Sequence, residues 1–250
     1  MAKVWGVTDS PITADERADS GTIETARQVW DLPVRVCHWL LVAAFITSYV
    51  TNRLGISFFK YHVWSGYTVI VLVTFRIVWG LVGTRHARFR NFVRGPVRTL
   101  RYAAGWLRGG AHHHHAGHNP LGAWMVIVLL AALLVQAASG LFGNDEILNV
   151  GPLYGFVTNE TSLALTSLHR NLFYWLLAAA IVHVLAVIAH RLFKKENLVA
   201  AMFTGKKAPH AVPASEAIRT SRTWLAVLIV FILGTALAWV VVHAPLPPSQ

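Results

Sequence analysis

Charge is scarce in this chain. Only 13% of its 250 residues are Asp, Glu, Lys or Arg, about half the share of an ordinary soluble domain. Carboxylates are scarcer still, 11 against 22 basic residues, and the long apolar runs hold none. That argues against a pathway for hard cations, which use oxygen ligands. Cysteine is nearly absent. The single Cys37 excludes an internal disulfide, an iron–sulfur cluster built from this chain alone, and the C-x-x-C-H attachment of a c-type haem. The period-2 alternation of a membrane β-barrel is missing too, which leaves helices as the spanning element.

What fills the chain is apolar: 55% of its residues are hydrophobic. Five runs are long enough to cross about 30 Å of hydrocarbon, at about 36–52, 61–83, 121–142, 166–193 and 223–243. The expected fold is therefore all-α, an integral membrane bundle with a four-helix core and a fifth, C-terminal transmembrane helix. The net charge of +11 is explained by topology without invoking nucleic acid. Arg85, Arg88, Arg90, Arg94, Arg98, Arg101 and Arg108 follow the second run, and Arg191, Lys194, Lys195, Lys206, Lys207, Arg219 and Arg222 follow the fourth. The loop between runs three and four carries Asp145, Glu146 and Glu160 and no Lys or Arg. Positive loops face the cytoplasm, so the N-terminus is expected inside and the C-terminus outside a bacterial inner membrane; Arg53 and Lys60 are a mild exception. The division expected along the chain is a polar cytoplasmic segment 1–28, a core 29–207, a cytoplasmic linker 208–222, the fifth helix 223–243 and a short tail 244–250. The polar segment has the wrong chemistry for a secretory signal. The loop at 84–120 reads as amphipathic and interfacial, with its arginines toward lipid phosphates.

Histidines inside apolar runs are functional candidates, because a metal-binding side chain in hydrocarbon is costly. His38 begins run one, His62 begins run two, and His169 and His183 lie in run four. Two neutral imidazoles from different helices complete a six-coordinate haem iron suited to electron transfer. The 14 residues between His169 and His183 span about 21 Å and return to within roughly 40° of one face. With alternating topology, His38 pairs with His183 on the inner side and His62 with His169 on the outer side.

Arg76 lies 14 positions after His62 and reaches the depth of His183; it either neutralises a haem propionate or snorkels to the inner surface. Arg35, at the mouth of run one, is a second propionate candidate. Gly66 and Gly140 either leave room for a porphyrin or let helices pack closely. His190 shares the face of His169 and His183, but about 31 Å from His169 it suits a surface position better. His112 to His115, with His118 following, form an exposed tract without fixed metal geometry, which either binds zinc, copper or nickel loosely or is a tolerated His-rich loop or interface segment. His86, His210 and His243 read as surface residues.

Several runs also resemble a known family. They are Trp30 to Trp39 (W-D-L-P-V-R-V-C-H-W), His62-x-x-x-Gly66, Arg76-x-x-Trp79-Gly80, Ala87-Arg88-Phe89, Gly117 to Gly122 (G-H-N-P-L-G), Glu196-Asn197-Leu198 and Met202-x-x-Gly205-Lys206. In this order they resemble the bacterial cytochrome b561 family, which includes the cytochrome b subunits of nickel-iron hydrogenases. The resemblance covers about 28–207. It implies a four-helix core with two non-covalent b haems held by His38, His62, His169 and His183. It further implies electron exchange between a membrane quinone and a redox partner such as a hydrogenase or a cytochrome c. The His112 to His115 insertion, Arg170-Asn171 after His169, and the fifth helix depart from the family pattern. Two other classes compete: a His-rich metal-ion transporter or sensor, and a membrane anchor without a redox role.

Overall fold

The computed structural model describes residues 26–107, 117–147, 149–209 and 212–245. His112 to His115 and His210 lie outside the described residues. A two-residue strand, β1 (Arg27–Gln28), leads into α1 (Leu32–Arg53), followed by α2 (Phe59–Val82), the short α3 (Phe89–Phe92) and α4 (Pro96–Leu107). Then come α5 (Pro120–Leu141), α6 (Asn159–Phe193), α7 (Leu198–Thr204), β2 (Lys206–Lys207) and α8 (Thr223–Val242). The strands pair antiparallel, with Arg27 opposite Lys207 and Gln28 opposite Lys206.

Five helices are long and apolar enough to cross a membrane, as expected. The starts of α1, α5 and α6 precede the apolar runs because polar caps, invisible to hydropathy, set them. Helix α1 begins at Leu32, with Asp31 accepting from the Val34 amide and Pro33 in the first turn. Asn119 caps α5 by accepting from Gly122, with Pro120 at its first position. Helix α6 begins at Asn159 rather than 166, capped by Thr158, and its 35 residues extend about 52 Å, well beyond the hydrocarbon at one or both ends. Gly205, at φ +79°, ends α7 and turns the chain into β2; the left-handed conformation asks for glycine there.

The long helices pack in series: α1 on α2, α2 on α5, α5 on α6, with α8 laid outside against α2 and α1. Helix α6 leans on α5 and buries only Ser162 and Leu176 among its own residues. Between α1, α2 and α5 lies a core of Ala44, Val69, Val73, Leu130 and Ala137. A second core, at the end where α1 begins, joins Val34, Leu72, Phe75 and Trp79 to Val29, Ala87, Ala201, Val212 and Ala226. The aliphatic faces left exposed on α6 and α8 suit a lipid solvent.

The stretch between β2 and α8 is pinned to the bundle. Val212 is fully buried, Arg27 donates to the carbonyls of Pro209 and Val212, and the Ile218 amide donates to Gln28. His86, read from sequence as a surface residue, is 7% exposed, and its Nε2 lies 2.8 Å from the Glu216 carbonyl. The returning chain covers it.

Candidate functional site

The packing order puts α6 opposite α1 and α2, and rings rather than backbones bridge the gap. The structure brings the four candidate histidines together in two pairs. The His38 and His183 ring centres stand 6.5 Å apart, and those of His62 and His169 stand 6.1 Å apart. An imidazole–metal bond of about 2 Å and a ring radius of about 1 Å place two rings that share one metal about 6 Å apart. Both pairs have that separation. Between the pairs, Phe173 of α6 stacks on Tyr49 and Phe45 of α1, with centroids 5.7 and 6.2 Å away.

The His62/His169 pair lines a cavity of about 560 Å³ whose walls include Gly66, Gly140, Phe45, Tyr49 and Phe173, with Arg53 and Arg170 also on it. That volume lies within the range of cofactor pockets. A Cβ at Gly66 would meet nothing within 4 Å, so this wall is open. Gly140 serves a different purpose: a Cβ there would stand 2.9 Å from His169 Cε1 and 3.0 Å from Nδ1. Its missing side chain seats the imidazole itself. His62 Nδ1 lies 2.9 Å from the Ser48 carbonyl, and His169 Nδ1 lies 2.8 Å from the Gln136 carbonyl. Each contact engages Nδ1 and leaves Nε2 as the nitrogen available to a metal, the usual outer support of a metal-binding histidine.

The His38/His183 pair sits near a basic corner. Arg76 is 6% exposed, donates to the Ala87 carbonyl at 3.2 Å and lies over the Phe89 ring at 5.2 Å. Its burial among protein groups does not match snorkelling to the surface. Arg35, one turn before His38, donates to the Phe203 carbonyl of α7. His118, expected within an exposed tract, instead packs on Trp30 and Phe92, with centroids 4.7 and 4.5 Å away. Burial, reinforced by the Arg76 charge and then those of Lys207, His86 and His183, pulls its pKa down to about 3. Burial also pulls Lys207 down, opposed by Glu196. The nitrogens Arg35 Nε, His38 Nδ1, Trp39 Nε1, Arg88 Nε and His118 Nδ1 are sealed from solvent without a hydrogen-bond partner among the described residues. Except for an unprotonated imidazole nitrogen, each is a donor, and an anionic group suits such a set.

His190 is engaged elsewhere: Nε2 lies 3.0 Å from Asn119 Nδ2 and Nδ1 lies 3.0 Å from the Ala186 carbonyl. His243 contacts its own helix, with Nδ1 2.8 Å from the Trp239 carbonyl. Among the described residues, no group of three or more His, Cys, Asp or Glu side chains is arranged to hold a bare metal ion. Paired imidazoles, an aromatic and apolar cavity, and unpaired buried donors at one end fit a porphyrin-bound iron with acidic substituents.

Sequence reasoning had no access to Ser48 and Gln136, because their contribution is a backbone carbonyl that every residue possesses. Asp31 and His118 did carry a signal, the cap pattern Asp31-x-Pro33 and the motif His118-Asn119-Pro120.

The chain is 20% identical over 228 residues to a probable Ni/Fe-hydrogenase B-type cytochrome subunit of Bradyrhizobium diazoefficiens, covering 78% of this chain and 92% of the relative. It is 24% identical over 238 residues to the protein of the same description from Rhodobacter capsulatus, covering 79% and 88%. A third, from Rhizobium leguminosarum bv. viciae, is 22% identical over 230 residues, covering 78% and 95%. No solved structure gives a significant match. The family model described as prokaryotic cytochrome b561 matches residues 29–205, the span that holds both histidine pairs. The chain therefore belongs to the prokaryotic cytochrome b561 family and is a multi-pass membrane protein of b-type cytochrome character.

Proposed function

We propose that the protein is a di-haem electron-transfer subunit, with haem b iron held by His38 and His183 at one end of the bundle and by His62 and His169 at the other. The observation that carries this reading is the pair of imidazole separations, 6.5 and 6.1 Å, on helices from distant parts of the chain. When bound, haem supplies reversible one-electron exchange; the protein fixes spacing and tunes potential through ligands, charge and burial.

Arg76 and Arg35 are proposed to face propionates of the first pair's haem, and the unpartnered donors beside them support that placement. Gly66 leaves porphyrin space beside His62, whereas Gly140 acts through the His169 ring. Charge distribution supports an N-terminus in the cytoplasm and a C-terminus outside the bacterial inner membrane, which makes the His38/His183 site the inner one. Electrons pass between quinone in the membrane and a redox protein. The relatives' descriptions favour a hydrogenase as that partner over a cytochrome c.

A reduced-minus-oxidised absorption spectrum with pyridine extraction tests the reading. Two haem b per chain are expected. No haem would overturn it, and one per chain would undo the paired scheme.

A further inference from the structure

The two histidine pairs differ in what holds the ring nitrogen turned away from the partner ring. At His62 and His169 that nitrogen meets a backbone carbonyl, Ser48 at 2.9 Å and Gln136 at 2.8 Å. A carbonyl has no proton to give, so Nδ1 carries the hydrogen in both rings and Nε2 keeps its lone pair. These contacts are built into the helix packing. The Ser48 and Ser65 hydroxyls share a hydrogen bond, and the Ser65 hydroxyl also donates to the His62 carbonyl at 2.8 Å, which locks α1 to α2 at this ring. The Gln136 side-chain amide donates to the His169 carbonyl at 2.9 Å, while Gly140, one turn on, gives the ring its seat.

The other pair has no such support. His38 Nδ1 is buried without a partner, and the His183 ring nitrogens have no hydrogen bond among the described residues. Fixed charge acts in the same direction: Arg35, Arg76, Arg88 and Lys207 stand near the first with Asp31 and Glu196, and Arg53 and Arg170 stand around the second with Asp145, so the excess of positive charge is larger at the first. Hydrogen bonding adds to that difference at the ligands themselves.

An imidazole that donates its far N–H to a carbonyl gains electron density at the nitrogen facing the metal and becomes a stronger ligand. Stronger donation favours the more positive iron and lowers its reduction potential. We infer that the Ser48 and Gln136 carbonyls are positioning groups that make the His62/His169 site the lower-potential site of the two. The inference rests on the di-haem reading above.

A potentiometric titration of the haem-loaded protein in detergent, followed by haem absorption, tests it. His38→Met and His62→Met each move or abolish one wave, which assigns the two. The wave assigned to the His62 pair is expected at least about 59 mV below the other, a tenfold difference in oxidised-to-reduced ratio for a one-electron couple. Ser139 donates to the same Gln136 carbonyl at 3.0 Å and its Oγ also lies 3.5 Å from His169 Nδ1, so Ser139→Ala changes the hydrogen bonding of this ring and shifts this wave alone. Gly140→Ala presses on the ring and raises the same wave. Should Gly140→Ala instead release its haem, the Ser139→Ala shift decides. Coincident or reversed waves, or a Ser139→Ala effect that is absent or shared by both, would overturn the inference and leave two haems standing. A protein with one haem or none would remove the reading beneath it.

Discussion

Asp31 concentrates a large share of the local order at the end where α1 begins. It is 1% exposed and accepts from the Val34 amide at 2.7 Å, from Trp79 Nε1 at 3.0 Å and from the Thr84 hydroxyl. One carboxylate thus caps α1 and ties it to the end of α2. Asp31→Ala strands three donors and is expected to cost about 3 kcal/mol, read as a lower thermal midpoint in detergent. Asp31→Asn keeps one acceptor oxygen and should cost less; equal midpoints for both variants and the parent would refute this account. His118 makes a prediction about pH. Its folded pKa of about 3 lies below the ordinary 6.5, so the unfolded chain takes up a proton that the folded chain refuses. Its contribution is whole above pH 6.5 and shrinks as pH falls toward 3. Stability measured across that window should fall less steeply in His118→Phe than in the parent, and parallel profiles would count against a buried neutral imidazole.

At the scale of elements, α6 is the helix that contributes one imidazole to each histidine pair. Two imidazoles 14 positions apart fall near one face, and the helix that carries them contributes half of each pair. Helix α4 has a separate role. Val97 and Leu100 are 61% and 69% exposed, with Arg98, Arg101 and, just before the helix, Arg94 also open, the pattern of a helix lying on a bilayer surface. Replacing these three arginines with Gln is expected to weaken attachment to anionic lipid by about 1 kcal/mol per charge, measured as anionic lipid retained through purification. Unchanged retention would remove lipid as the partner of this face. Helix α8 supplies no histidine to either pair. A chain ended after Lys207 should keep both haem bands but unfold at lower temperature. Loss of the buried Val212 alone costs about 2 kcal/mol. Loss of haem from that shortened chain would show that α8 and the stretch before it help to form the sites.

For the whole molecule, spanning the bilayer imposes a requirement that can be read in one dimension: about 20 apolar residues per helix, with basic loops on one side. The five spans, the all-α class and the family resemblance were legible for that reason. Depth was legible as well, because a fixed rise per residue and alternating direction assign each histidine to one end, and the His38/His183 and His62/His169 pairs follow from it. Helix starts were less so. Asp31 and Thr158 begin α1 and α6 before their apolar runs, since a cap is a hydrogen bond and not a matter of hydropathy. Tertiary structure decided what depends on parts of the chain meeting: the burial of His86 under the returning segment, the packing of His118 on Trp30 and Phe92, the fit of Gly140 to an imidazole, and the choice of Ser48 and Gln136 to hold the His62 and His169 rings. Sequence therefore determined which residues reach each depth, because helix geometry and the bilayer act along the chain. The hydrogen bonds that distinguish one histidine pair from the other arise between helices, and packing alone selects the carbonyl that meets each ring.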